Sequence, residues 1–228
     1  MVNGLKVKIV YFAYLNTDDW EPIVLEQLNS LRNTGLYELA DNIYISLVCD
    51  DVRLKRIKQL IWAKFKKIEI INRYNGNFYE YPGLEAVYSL SQKDDDSIIL
   101  YFHTKGMTSQ KKHPGNASIR QNLFKHTIDN YQIYLDHFKK NEDLDVGGIF
   151  ISEFGFAWYN FFWINSKYVK NHLPKPEFTS HRYYWERWIG NEHSTKKDIK
   201  TFSPILGYNK LQNRAQLNKW RGQLFNAK

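Results

Sequence analysis

The sequence predicts an α/β fold with a mostly parallel sheet flanked by helices. Over the first hundred residues, short runs rich in β-branched and aromatic residues alternate with longer segments whose apolar residues recur every three or four positions. The run Ser97 to Gly106 (SIILYFHTKG) is apolar as far as Phe102 and then breaks into His103, Thr104, Lys105 and Gly106. That is the pattern of a buried strand delivering polar side chains from its carboxyl end, the edge at which ligands collect in open α/β sheets. With 228 residues, of which 43% are hydrophobic and 16% aromatic, the chain can fill one core without metals or disulfides. We expect a single domain over 1–206 and a basic tail over 207–228, helical and docked on the surface.

In chain order, residues 6–15 (KVKIVYFAYL) read as a first strand. The spacing of Trp20, Ile23, Val24, Gln27, Leu28 and Leu31 gives a helix, with Asp18 or Asp19 as its cap and Pro22 in its first turn. Residues 42–49 (NIYISLVC) form a second strand stopping at Asp50 and Asp51. A basic helix follows over 52–65, with Leu54, Ile57, Leu60, Ile61 and Trp62 facing inward. A short strand over 67–72 and a helix opening at Tyr81, Pro82 and Gly83 lead to the central strand. The alternation predicts parallel pairing and a nucleotide-binding type of sheet. The second half holds a polar loop over 107–118, a helix over 119–138, a strand over 145–150, the aromatic run Phe154 to Asn165, a helix over 181–189 and a last strand over 199–204.

The formal charge of +8 is spread along the chain rather than packed into a tail. It suits anionic small molecules as well as nucleic acid. RNP, zinc-ligand and Walker patterns are missing, so a nucleic-acid partner rests on charge alone. Cys49 is the single cysteine, which excludes an intrachain disulfide. The apolar start is too short to span a membrane and has no small-residue cleavage site. We therefore expect a soluble, intracellular protein of the cytoplasm, or of a host's cytoplasm if the chain is viral. The glycosylation spelling Asn116-Ala117-Ser118 is read as accidental.

Several stretches can carry chemistry. Asp50 and Asp51, at a strand end, suit hydrogen bonds from a ribose or base, and equally suit capping the next helix. Tyr11, Phe12 and Tyr14 can stack on a base or belong to the core. Asp94, Asp95 and Asp96 lie at the amino end of their strand, so a solvated turn is expected there rather than a metal site. His103 and Lys105 are alternate residues that point to one side of the sheet edge. With Lys111, Lys112 and Arg120 nearby they can receive a diphosphate. The rings from Trp158 to Trp163 can pack on sugar faces as well as in a core. Glu186, beside Trp185 and two residues before Trp188, is either a surface carboxylate paired to an arginine or a general base.

Taken together, five stretches resemble the glycosyltransferase-like proteins of GT-A architecture found in bacterial polysaccharide loci and large DNA viruses. They are YFHTKG (Tyr101 to Gly106), Arg120, DVGG (Asp145 to Gly148), AWYNFFWIN leading to YVKNHLP (Tyr168 to Pro174), and RYYWERWIG (Arg182 to Gly190). The likeness runs from about Tyr79 onward. Tyr159 and Phe162 depart from it, standing where that pattern has Gly and Trp.

The resemblance implies a GT-A-like fold and transfer of a sugar from a nucleotide-diphosphate sugar to a glycan or protein-linked acceptor, with inversion. It implies Tyr11, Asp50 and Asp51 at the nucleoside and His103, Lys105 and Arg120 at the diphosphate. Asn160, Trp163 and Trp185 would face the sugar or acceptor, and Glu186 would take the acceptor's proton. GT-A enzymes commonly hold a divalent ion on an Asp-x-Asp pair after the central strand. Here that position reads His103-Thr104-Lys105, so neither metal nor other cofactor is expected, unless a later carboxylate such as Glu153 holds an ion. Two other classes stay open: a non-catalytic nucleotide-sugar or glycan binder, and a nucleic-acid-binding domain resting on charge.

Overall fold

The structure is a computed structural model and describes residues 5–94, 96–105, 115–181 and 183–226. The first half is built as the alternation predicts. Strands β1 (Lys6–Tyr14), β2 (Asn42–Val48), β3 (Ile68–Tyr74) and β4 (Ser97–His103) run parallel, in the spatial order β3-β2-β1-β4. Tyr11 lies opposite Ile45 on one side and Phe102 on the other. All four carboxyl ends therefore share one edge. β1 and β4 are buried along nearly their whole length, which is why both read as continuous apolar runs.

Helix α1 (Trp20–Asn33) buries the residues that its spacing selects: Trp20, Ile23, Val24, Gln27, Leu28 and Leu31. A short helix α2 (Leu36–Leu39) starts from Gly35, whose φ of +82° is comfortable only for glycine. In α3 (Asp51–Lys64) the buried residues are Ile57, Leu60 and Ile61. Trp62, expected to face inward, is 80% exposed, because at 100° per residue it falls outside the stripe these three define. α4 (Tyr81–Lys93) packs so close to the sheet that a Cβ on Gly83 would meet Phe12 and Tyr101 at 2.7 and 2.8 Å.

The second half adds strands out of sequence order. Among the described residues the sheet has seven strands in the order β3-β2-β1-β4-β6-β5-β7. β6 (Phe162–Asn165) lies antiparallel to β4, with Tyr101 opposite Phe162 and Ile98 opposite Asn165. β5 (Val146–Gly147) and β7 (Thr201–Phe202) are two residues each, shorter than the strands expected over 145–150 and 199–204. A Cβ on Gly147 would stand 2.8 Å from Tyr134, so this strand needs a residue with no side chain to pass beneath the helix that carries Tyr134. The helix expected over 119–138 is divided into α5 (Gly115–Phe124), a π-helical turn (Lys125–Asp129) and α6 (Tyr131–Lys140). After β6 come α7 (Ser166–His172) and the single turn α8 (Tyr184–Arg187), far shorter than the helix expected over 181–189. Last is α9 (Arg214–Asn226), anchored by the buried Leu217.

The sheet separates two cores. Phe102 and Trp163 belong to the one beneath α1, α3, α5, α6 and α9, and Tyr101 and Phe162 to the one beneath α4, α7 and α8. Adjacent strand residues point to opposite faces. The fold is thus a single α/β domain with a mostly parallel sheet flanked by helices. No helix among the described residues is long and apolar enough to cross a membrane.

Candidate functional site

At the carboxyl end of β4, polar side chains from distant parts of the chain meet on the α4 face of the sheet. His103 is 5% exposed. Its ring lies stacked with that of Tyr101 at 6.2 Å between centroids. Nε2 is 3.0 Å from the Tyr159 carbonyl oxygen. A carbonyl only accepts, so Nε2 carries a proton. Nδ1 is 3.9 Å from Glu80 Oε1. Burial pushes the His103 pKa below the ordinary histidine value, assisted by the Lys105 charge and opposed by Glu80 and by the bond to Tyr159. Burial thus favours the neutral imidazole over the imidazolium.

Glu80 stands just before α4 and joins this cluster from a segment that sequence reasoning passed over. Asn160 Nδ2 donates to Glu80 Oε2 at 2.7 Å. Burial foremost, and then the Glu80 carboxylate, push the Tyr101 hydroxyl pKa well up. Among the described residues, the non-glycine residues with positive φ are Tyr79 (+49°), Tyr159 (+71°) and Asn160 (+52°). All three belong to the two segments that the Glu80–Asn160 bond ties together. Strained backbone persists where its surroundings over-determine it, and it gathers at functional sites.

Lys105 follows His103 at the sheet edge, half-buried, with Nζ 5.3 Å from the centroid of the Tyr159 ring. Arg120 lies on the other face. It is 2% exposed, donates to the Lys105 carbonyl from Nη1 at 3.3 Å and faces Glu26 at 3.4 Å. The three residues assigned to a diphosphate are thus not one patch. His103 faces α4, Arg120 is buried toward α1, and Lys105 sits at the edge between them. Lys111, Lys112, Gly106, Asp95 and Arg182 lie outside the described residues.

Three aromatic assignments need correction. Tyr11 is fully buried, stacks on Phe102 at 4.6 Å and donates its hydroxyl to Gln27 Oε1 at 2.8 Å. Gln27 in turn donates to the His103 carbonyl at 3.2 Å. Tyr11 therefore braces the strand end from within and cannot stack on a base. Trp163 is also fully buried, with Nε1 donating to the Thr127 carbonyl at 2.9 Å and its ring stacked with Tyr134. It belongs to the core rather than to a sugar pocket.

Trp185 is 2% exposed, edge-on to Tyr81 at 6.0 Å, and is covered by protein. It stands behind the site and not at its surface. Glu186 is half-buried on the same turn, α8, which packs against the Trp158–Asn160 turn.

Asp50 caps α3, accepting from the Arg53 amide at 2.7 Å and pairing with the Arg53 guanidinium. The Arg53 amide bond, foremost, holds its carboxyl below the usual range. Asp51, 88% exposed at its side chain, pairs with Arg73 at 2.7 Å. Both lie on the same sheet edge as Lys105. Asp94, at the opposite edge, accepts from Lys8 at 3.0 Å and from Lys6 at 3.4 Å. Glu153 is exposed. Among the described residues no group of three or more His, Cys, Asp or Glu side chains is placed to hold a metal ion.

A signal for Glu80 did exist. A helix that follows one parallel strand and precedes the next begins at the strands' carboxyl edge, so a carboxylate just before Tyr81 falls beside the end of β4.

No family model and no curated protein matches the chain. The solved structures similar to it include two of one enzyme. One is a 4-diphosphocytidyl-2C-methyl-D-erythritol synthase from Anaerococcus prevotii DSM 20548, with TM-score 0.44 and 10% identity, covering 98% of this chain and 97% of that one. The other is a second 4-diphosphocytidyl-2C-methyl-D-erythritol synthase, with TM-score 0.46 and 9% identity, covering 95% and 98%.

Proposed function

We propose that the protein is a glycosyltransferase that moves a sugar from a nucleotide-diphosphate sugar to a glycan or protein-linked acceptor. One observation carries the reading. Lys105, His103 and Asn160 belong to motifs singled out separately in the sequence, and they gather at the carboxyl end of β4 around strained backbone, with the turn bearing Glu186 packed against the Trp158–Asn160 segment. That is where an open α/β sheet binds its ligand.

In this reading Lys105 supplies fixed positive charge to the leaving diphosphate as the glycosidic bond breaks. Arg120, buried behind it, holds the Lys105 main chain. His103, neutral and bonded to Tyr159, orients the site without carrying charge. Asp51 offers acceptors to the ribose or base. Glu186 takes the proton of the acceptor hydroxyl. The new C–O bond then forms on the face opposite the departing nucleotide diphosphate, which inverts the anomeric centre. Lys105 replaces a divalent ion, and the reaction is set in the cytoplasm.

The test is calorimetric titration with UDP, GDP, dTDP and their sugars, with and without EDTA, followed by transfer and donor-hydrolysis assays over an acceptor panel. A nucleoside diphosphate should bind equally well in EDTA, and Lys105→Ala should bind it at least about tenfold more weakly. Glu186→Gln should keep donor affinity and lose about 10²-fold in turnover. Failure of every nucleotide to bind refutes the reading. Binding without transfer or hydrolysis makes the protein a non-catalytic binder. Tight, steeply salt-dependent binding of DNA or RNA in place of nucleotides points to the basic surface instead.

A further inference from the structure

The conformation of Tyr159 calls for a cause. At φ +71° and ψ +4° an L side chain crowds its own backbone, and glycine meets the same demand freely. The other contacts of this turn, the His103 ring's bond to the Tyr159 carbonyl and the bond that Asn160 Nδ2 donates to Glu80, do not involve the Tyr159 side chain and would survive a glycine. What the tyrosine adds is its ring, and the ring is held on three sides. Phe150 meets it edge-on at 6.2 Å. Arg221 Nη1, from α9, donates to its hydroxyl at 3.1 Å. Lys105 Nζ stands over its face at 5.3 Å. A lysine side chain on its own samples many rotamers, and an aromatic face attracts the ammonium while leaving its N–H donors available.

We propose that Tyr159 is a positioning residue that fixes the Lys105 ammonium at the sheet edge, and that Arg221 makes this position depend on the docking of α9. The consequence for ligand affinity rests on the reading of Lys105 as the diphosphate contact. The restraint on Lys105 does not.

The experiment has two readouts, applied to Tyr159→Gly, Tyr159→Phe and Arg221→Ala. The first is the rate of Lys105 acylation by an N-hydroxysuccinimide ester, followed by peptide mass spectrometry and normalised to the exposed Lys55. The second is affinity for whichever nucleoside diphosphate binds the parent protein. Tyr159→Gly should label Lys105 about three- to fivefold faster and bind the nucleotide weaker by a similar factor, the scale of one cation–π contact. Tyr159→Phe keeps the ring but loses the hydroxyl that Arg221 holds, so it should label like Arg221→Ala, between the parent and the glycine variant. Arg221→Ala should move labelling in the glycine variant's direction by a smaller factor. Should Tyr159→Gly not fold, Tyr159→Asn takes its place, since asparagine tolerates this backbone and brings no ring. Parent-like Lys105 labelling in a folded ring-less variant overturns the proposal, and parent-like labelling in Arg221→Ala overturns the link to α9. If the parent binds no nucleotide, the functional reading fails and the labelling arm still decides this one.

Discussion

Replacing Glu80 with alanine removes the carboxylate on which the polar cluster converges. Its side chain is 18% exposed, so its bonds are largely withdrawn from water. The bond from Asn160 at 2.7 Å has a charged acceptor and is worth about 1.5–3 kcal/mol net. The 3.9 Å approach to His103 adds little, because it is beyond hydrogen-bond distance and burial disfavours the charged ring. Asn160 is fully buried, so the alanine variant leaves an amide N–H without its acceptor, although water can enter through the exposed part of the Glu80 site. The expected loss is about 2–3 kcal/mol, or roughly 4–12 °C in Tm for a chain of this size. Urea denaturation of the parent, Glu80→Ala, Asn160→Ala and the double variant closes a cycle whose coupling energy should reach about 1.5 kcal/mol. Glu80→Gln retains an acceptor and should recover about half the loss. A coupling below about 0.5 kcal/mol, or a glutamine variant as unstable as the alanine one, would refute the reasoning.

Trp163→Ala should cost about 3–5 kcal/mol of stability and leave nucleotide affinity unchanged, since the ring is core; weaker binding at parental stability would return it to the ligand. Asp50→Ala removes the cap of α3 and should produce a small, measurable drop in Tm. Burial, foremost, holds the His103 pKa below the ordinary 6.5, so as pH falls through that value the unfolded chain gains a proton that the native state refuses. Its contribution to stability is therefore full above about pH 6.5 and declines toward acid. His126, His137 and His193, lowered first by burial, act in the same direction. Tm should fall on acidification, less steeply in His103→Gln, and an imidazole resonance of His103 titrating at or above pH 6.5 would contradict this.

Strands β1, β2 and β4 and helix α1 were legible because each is long and its apolar pattern follows from being covered on one face or two. The two-residue strands β5 and β7 were not. Their pairing, Val146 with Thr201, is decided by tertiary contacts across 55 residues and leaves no local period. The site was legible in part. His103 and Lys105 could be found because a strand's carboxyl end is visible in sequence. Tyr11 and Trp163 misled because, in a strand buried on both faces, alternation does not say which residues reach a cleft. Glu80 escaped because its partner Asn160 is 80 residues away, and carboxylates before helices usually serve as caps.

The antiparallel wedge of β6 against β4 also bears on how the protein is made. One flank of β4 pairs with β1, which precedes it in the chain, while the other waits for Phe162, about sixty residues after His103. At bacterial and eukaryotic elongation rates that interval lasts about 3–12 s. For its duration the nascent chain carries a strand apolar on both faces with one flank unpaired, the kind of edge that recruits other chains. The Tyr159–Asn160 turn leads directly into β6, so the same docking event that seals this edge also assembles the polar cluster. A ribosome paused in this stretch would hold a chain that is collapsed, adhesive and still without its polar cluster, which makes this the stage at which a holdase chaperone has the most to protect.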